Sequence, residues 1–237
     1  MILYIFEPPL TSGFQLSENK KIVVALDLFD PIKARAIAQK IGEEVFAFKV
    51  GWPLILGSSS DIINDITRYG KVICDIGLAN IPDMNKAITE NVKDHGAWGI
   101  VTHSIIGKDS LEAVVKNAGD MKVFSIVSMS HPGSSLFIDK ELDALCTLSA
   151  NAGVYGVVAP GNRPEIMARV KNNSRKMKIM AAGIGTQGGD PLVASQNGAD
   201  YLVIGRAICN SRDPLRELDR INAILERWEE TRGSKQV

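Results

Sequence analysis

Eight short apolar, β-rich runs recur along this chain of 237 residues, and each is followed by a stretch with amphipathic helical spacing. The runs are 22–27, 45–50, 72–76, 99–103, 123–128, 155–159, 178–182 and 201–204; the helix-like stretches are 32–41, 60–69, 84–94, 110–118, 140–151, 164–172, 191–197 and 214–229. Such alternation predicts a parallel sheet, because a parallel neighbour is reached only through a crossover. The count selects the architecture, since eight strands close a (β/α)8 TIM barrel. Several stretches open on Pro or Asp, where a missing amide proton or a negative charge suits a helix N-terminus. Single barrels reach this length, so one barrel domain is expected over 21–230, with an N-terminal leader over 1–20 and a polar, flexible tail over 231–237. No GxGxxG turn opens a helix after the first strand, and no strands are left over for a second sheet.

Charge and cysteine usage narrow the function classes. Lys plus Arg and Asp plus Glu both total 27, so no global field favours nucleic acid or an anionic membrane, and any anion must be recognised locally. Cys74, Cys146 and Cys209 are widely spaced with no CxxC pair, which fits a reducing, cytoplasmic setting rather than a disulfide framework. The apolar start over 1–6 has no basic leader and is interrupted by Glu7-Pro8-Pro9, too early for a signal-peptide core. No apolar run has the length of a membrane span.

The polar residues within the apolar runs identify the face that matters. A barrel of this kind binds ligands at the C-terminal ends of its strands. There the first run ends Ala25-Leu26-Asp27, the second carries Lys49, the third places Asp75 after Val72-Ile73-Cys74, and the fourth ends Thr102-His103. A lysine or aspartate buried alone costs several kcal/mol, which pairing offsets only in part. A structural ion pair across the mouth is one reading of Lys49 and Asp75; a ligand site is the other, favoured by their position. The glycine-rich turn Gly183-Ile184-Gly185-Thr186-Gln187-Gly188-Gly189 follows the seventh run, and Gly205-Arg206 follows the eighth. These two loops commonly bind phosphate in such barrels, through backbone amides and, here, the planar fork of an arginine. The segment Ser128-Met129-Ser130-His131-Pro132-Gly133 opens either a mobile loop over a ligand or a surface excursion. His103 and His131 have no Cys or His partner at metal spacing, so no metal site is expected. Cys74, Cys146, Met129 and Met180 read as core residues, His95 as an exposed helix end, Trp98 and Trp228 as structural, and Trp52 as packing near the mouth.

Taken together, Ala25-Leu26-Asp27, Phe48-Lys49-Val50-Gly51, Asp75 with Ile81-Pro82, Met129-Ser130-His131-Pro132-Gly133, Gly183 to Asp190 and Val203-Ile204-Gly205-Arg206 resemble the archaeal-type orotidine 5′-monophosphate decarboxylases, over nearly the whole barrel. The resemblance implies a cofactor-independent decarboxylase that converts OMP to UMP and CO2 in pyrimidine biosynthesis. It implies a phosphorylated, OMP- or UMP-like ligand, a homodimer with its site at the subunit boundary, and no metal or organic cofactor. By the same resemblance Asp27 and Lys49 contact the ribose hydroxyls and Ser130 the pyrimidine. Gly183, Gln187, Gly188, Gly205 and Arg206 belong to the phosphate side.

The family strand pattern is Asp-x-Lys-x-x-Asp-Ile-Pro, and this chain departs from it twice: Gly77 stands at the Lys position and Asn80 at the second Asp. Loss of CO2 leaves a carbanion that must be stabilised and then protonated. In the family the missing lysine donates that proton, so turnover is expected to be impaired or lost while Lys49 and Asp75 remain. The double loss keeps the local charge balanced, which is compatible with a retained anion site. Met84, where the family usually has a hydroxyl residue, and Ala182, where it usually has Pro, suggest an altered ligand preference. The alternatives are an active enzyme using another acid such as Lys86 or a water, a noncatalytic nucleotide-phosphate-binding paralogue, and a sugar-phosphate lyase of a related barrel family.

Overall fold

A computed structural model describes residues 20–174 and 176–233. All but the last residue of the leader, and tail residues 234–237, lie outside this range. The strands are β1 (Ile22–Ala25), β2 (Ala47–Gly51), β3 (Val72–Leu78), β4 (Gly99–His103), β5 (Lys122–Ile126), β6 (Gly156–Pro160), β7 (Lys178–Ile184) and β8 (Tyr201–Ile204). The helices are α1 (Pro31–Ile41), α2 (Trp52–Leu56), α3 (Ile62–Thr67), α4 (Pro82–Asp94), α5 (Lys108–Ala118), α6 (Leu142–Ala152), α7 (Pro164–Asn173), α8 (Pro191–Gln196), α9 (Arg206–Cys209) and α10 (Pro214–Gly233). Each strand pairs in parallel with the next, and β1 also pairs with β8 through Ile22–Leu202, so the sheet closes as the eight-strand TIM barrel the alternation predicts.

Side-chain alternation along the strands builds two apolar layers. One set of positions, including Val24, Phe48, Cys74 and Ile100, faces the surrounding helices. The other set, including Val23, Ala47, Ile73, Val101 and Met180, fills the barrel. The N-terminal end is plugged by aromatic rings. Phe46 stacks on Tyr201 at 4.4 Å, Trp98 meets Phe46 edge-on at 5.2 Å, and the Tyr155 and Tyr201 hydroxyls share a 2.8 Å hydrogen bond. Trp98 is therefore structural, as its sequence position suggests.

At the opposite end the helix starts carry the local signals seen in the sequence. Asp30 accepts from the amides of Ile32 and Lys33 ahead of α1, and Asp190 does the same for Leu192 and Val193 ahead of α8, each with Pro at the first helical position. Three differences from expectation alter the mouth. β1 stops at Ala25, although Leu26 still donates to the Lys49 carbonyl at 2.9 Å. The helix expected over 60–69 is the shorter α3, preceded by an extra helix, α2, that begins directly after β2. β3 runs on to Leu78 through a bulge: from Cys74 to Leu78 it advances four residues while β4 advances only from Ile100 to Thr102. The final helix also continues past 230 to Gly233.

Candidate functional site

The strand ends bring Asp27, Lys49 and Asp75 together at the barrel mouth. Lys49 Nζ lies 3.0 Å from Asp27 Oδ1 and 3.0 Å from Asp75 Oδ2. The lysine is buried, whereas both carboxylates keep partial access to water. Burial alone pulls an ammonium pKa down, but the charges of Asp75 and then Asp27 outweigh that loss and hold Lys49 above the ordinary lysine value. Lys49 is thus a fixed cation between two anions.

Across the mouth from this triad the glycine turn forms the opposite wall. A cleft of about 250 Å³ is lined by Asp27, Lys49 and Asp75 on one side and by Gly183, Thr186, Gln187, Gly205 and Arg206 on the other. The turn is braced internally, with Gly185 donating to the Gly189 carbonyl at 2.8 Å and Gly189 to the Gly183 carbonyl at 3.1 Å. Gly183 could hardly be another residue. Its φ is +82°, and a Cβ there would lie 2.9 Å from Ser130 Cβ and 3.1 Å from Asn162 Oδ1. Arg206 is exposed and has no ion-pair partner among the described residues, so its guanidinium is free to meet an anion. Gly188 also has positive φ, within the turn itself.

The segment after β5 folds as two short 3-10 turns, Pro132–Leu136 and Ile138–Glu141. Its anchor is Asp139, which accepts from Ser128 Oγ at 2.6 Å and Ser134 Oγ at 2.7 Å and pairs with Arg163 Nη2 at 2.7 Å. Burial works against the Asp139 carboxylate, but these hydrogen bonds and the Arg163 charge hold its pKa below the ordinary value. The result positions Ser130, whose hydroxyl donates to Gln187 Oε1 at 2.8 Å and links the β5 and β7 loops over the cleft. Asn162 reinforces the link by donating to the carbonyls of Ser130 and Gln187. Sequence reasoning overlooked Asn162, Arg163 and Asp139, because nothing about single polar residues in loops marks them as partners of residues distant along the chain. The usable signal was Gly161-Asn162-Arg163-Pro164 at a strand end, a place where polar residues invite inspection.

Gly77 and Asn80 lie in and beside the β3 bulge. Gly77 has φ +55°, and a Cβ built there would meet only His103, with Nε2 at 3.5 Å and Cδ2 at 3.9 Å. Asn80 is exposed, and its side chain serves its own loop: Oδ1 accepts from the Ile81 amide at 2.8 Å, while its carbonyl accepts from Asn85 Nδ2 at 2.9 Å. Lys86 is exposed on α4 and does not line the cleft. Trp52 lies at the mouth, half-exposed, donating from Nε1 to the Ile76 carbonyl at 2.8 Å. Cys74 is fully buried behind Asp75, and burial, then the Asp75 charge, pushes its thiol up to about 12. Among the described residues no three His, Cys, Asp or Glu side chains cluster as a metal centre requires, and no helix is long and apolar enough to cross a membrane.

Residues 20–221 match the family model described as Orotidine 5'-phosphate decarboxylase / HUMPS family. The chain belongs to that family. It is 46% identical over 214 residues to the orotidine 5'-phosphate decarboxylase of Thermoplasma volcanium, covering 90% of this chain and 97% of the relative. The Pyrococcus furiosus decarboxylase is 39% identical over 210 residues, covering 87% and 98%. Among solved structures, orotidine 5'-monophosphate decarboxylase from Methanocaldococcus jannaschii in complex with the inhibitor BMP superposes with a TM-score of 0.81 at 32% identity, covering 85% of this chain and 96% of that one. The Pyrococcus horikoshii enzyme gives 0.79 at 37% identity, covering 84% and 96%. This decarboxylase family is the one its strand-end motifs resemble, and the cleft lies at the C-terminal strand ends expected of a barrel site.

Proposed function

We propose that this member of the orotidine 5′-phosphate decarboxylase family keeps a pyrimidine-nucleotide monophosphate site and decarboxylates far more slowly than a site holding both lysines. The observation that carries this reading is the pairing, within one 250 Å³ cleft, of the Asp27–Lys49–Asp75 triad with Gln187, Gly205 and the free Arg206. In this arrangement the phosphate meets Arg206 and the turn amides. The ribose hydroxyls bridge to Asp27 and Lys49, and the base lies under Ser130 and Gln187. Asp75 faces the departing carboxylate. Gly77 offers no proton to the carbon left behind, and Asn80 brings no second carboxylate.

The working unit in this reading is a cytosolic homodimer closed over the mouth. Phe29, Ile32, Leu56, Ile81 and Phe137 are each more than half exposed around the C-terminal face, an apolar rim of the kind that a second copy covers. Titration calorimetry with 6-azauridine monophosphate and with uridine, run beside a CO2-release assay with orotidine monophosphate, tests the assignment. Micromolar or tighter binding of the nucleotide, at least tenfold tighter than the nucleoside, supports it. Failure to bind either would remove the nucleotide site and leave only family and fold.

A further inference from the structure

The bulge in β3 has a neighbour that lies outside the family motifs. β4 ends at His103, two residues beyond Val101, which packs inside the barrel. Period-two alternation therefore turns the His103 side chain inward at the mouth, beyond the level of Asp75, where the register after the bulge sets Thr102 opposite Leu78. Thr102 fixes the strand end by donating from Oγ1 to the Leu78 carbonyl at 2.8 Å, just after the bulge. Nε2 then sits 3.5 Å from the point where a side chain at residue 77 would begin. Among the described residues neither ring nitrogen of His103 has a hydrogen-bond partner.

The other groups near the mouth are poor acids for this position. Lys49 is held charged between its two carboxylates. Cys74 is fully buried, with its thiol pushed up to about 12. Lys86 is on the solvent side of α4. Among the described strand residues at the mouth, His103 is the remaining inward-facing group that can carry a proton near neutral pH, and it stands beside the lining of the cleft, behind the opening at Gly77.

We propose that His103 is the acid of this site, delivering a proton from Nε2 through the space that Gly77 leaves open to the carbon that loses CO2. The proposal rests on the orotidine-nucleotide reading of the cleft. The bond between C6 and the carboxylate breaks, CO2 departs, and the electron pair stays on C6. The imidazolium N–H bond then breaks, its proton bonds to C6, and its electron pair remains on Nε2. Neutral imidazole regains a proton from water, so one solvent proton is consumed and no oxidant or cofactor is needed.

The acid form is the imidazolium, so the rate follows its population. Burial lowers the His103 pKa from the ordinary 6.5, with Asp75 acting in the opposite direction. On β3 the charged group beside the ring is Asp75, itself paired with Lys49. On the other side β5 pairs with His103 through Ile126, its one titratable residue being Lys122 at the far end of the strand. The turn Ser104–Ile106 that follows carries no titratable side chain. Turnover is therefore expected to be greatest in mild acid and to fall about tenfold per pH unit once the imidazole is neutral.

The test is single-turnover CO2 release from carboxyl-labelled orotidine monophosphate by the full chain and by His103→Gln, between pH 5 and 8.5, with 6-azauridine monophosphate binding measured on both. The expected result is slow wild-type release that rises toward acid. His103→Gln should be about 100-fold slower or worse at pH 5.5, with a flat pH profile and a nucleotide Kd within threefold of wild type. Equal rates and profiles in the two proteins would overturn the role of His103. So would a wild type that binds the nucleotide yet releases no CO2 above buffer, or one whose rate is independent of pH between 5 and 8. Those outcomes leave the nucleotide site standing, whereas absence of nucleotide binding by the wild type removes both. If His103→Gln fails to fold, His103→Asn and the wild-type pH profile decide between the same outcomes.

Discussion

Replacing Lys49 with methionine removes the cation between Asp27 and Asp75 while keeping most of the side-chain volume. Each facing carboxylate oxygen lies 3.0 Å from Nζ, which puts the two oxygens no more than about 6 Å apart. Two negative charges at ~6 Å repel by roughly 3 kcal/mol at an effective dielectric of 20 and by under about 1 kcal/mol in bulk water. Asp27 is nearly half exposed, so the penalty belongs between these limits, at about 1–2 kcal/mol in low salt. Loss of the lysine's own favourable pairing adds to it. Urea unfolding at pH 7.5 should therefore show Lys49→Met less stable by about 2 kcal/mol, with the deficit shrinking as NaCl is raised, because added salt screens part-exposed charges. Lys49→Met/Asp27→Asn, which removes one of the repelling charges, should recover about 1 kcal/mol of that loss. The wild type carries the complementary signature. With a folded pKa above the ordinary 10.5, Lys49 contributes stability that is complete below 10.5 and is lost as pH rises through the folded value. A single variant as stable as wild type at every salt concentration, or a double variant no better than the single, would rule out this electrostatic coupling.

Three further outcomes follow from the geometry. On the proposed reading Arg206 meets only the phosphate, so Arg206→Ala should weaken uridine monophosphate binding by about 10- to 100-fold while leaving uridine binding unchanged; calorimetry with both ligands checks this. Gly183→Ala forces a side chain into φ +82° and within 2.9 Å of Ser130 Cβ, so it should cost about 2 kcal/mol or more in thermal unfolding and also weaken nucleotide binding. Asp139→Asn leaves Arg163 with only the more exposed Glu165, 3.5 Å from its Nε, and should cost about 2 kcal/mol near pH 7. Because the Asp139 pKa is depressed, its contribution is present above the ordinary 3.8 and is lost as pH falls through the folded value. The wild-type advantage over the variant, followed by denaturant unfolding, should therefore narrow in acid below about pH 4.

The barrel was legible because its signals are local and repeated. β-branched runs such as Ile22-Val23-Val24 and helix starts such as Asp30-Pro31 and Asp190-Pro191 each state their own structure, and eight repetitions leave one closed sheet. Lys49, Asp75 and the glycine turn were legible for a related reason: charge inside an apolar strand, and glycine after one, conflict with simple packing. What escaped was set by contacts distant in sequence. The bulge over Asp75, Ile76 and Gly77 depends on register with β4, which no residue of β3 announces. The extra helix α2 opens on Trp52, whose indole donates back to the Ile76 carbonyl, a contact across 24 residues. The bracing of Ser130 through Asn162, and of its loop through Arg163 and Asp139, joins segments after two different strands, β5 and β6. His103 was seen at a strand end, but its relation to Gly77 exists only once the bulge brings the two together.

If the cleft is the proposed nucleotide site short of its acid, restoring that acid should restore chemistry. Single-turnover decarboxylation of orotidine monophosphate at pH 8 by the wild type and by Gly77→Lys/Asn80→Asp, with 6-azauridine monophosphate binding as the control, measures this. The bulge can accept the change at modest cost, since a Cβ on Gly77 comes no closer than 3.5 Å to its neighbour. Lysine at φ +55° there should cost only about 1–2 kcal/mol. Both proteins should bind the nucleotide, and the double variant should release CO2 at least about 100-fold faster than the wild type. A wild type as fast as the variant, or a well-folded variant that binds the nucleotide and is no faster, would show that the missing lysine and aspartate do not limit this site.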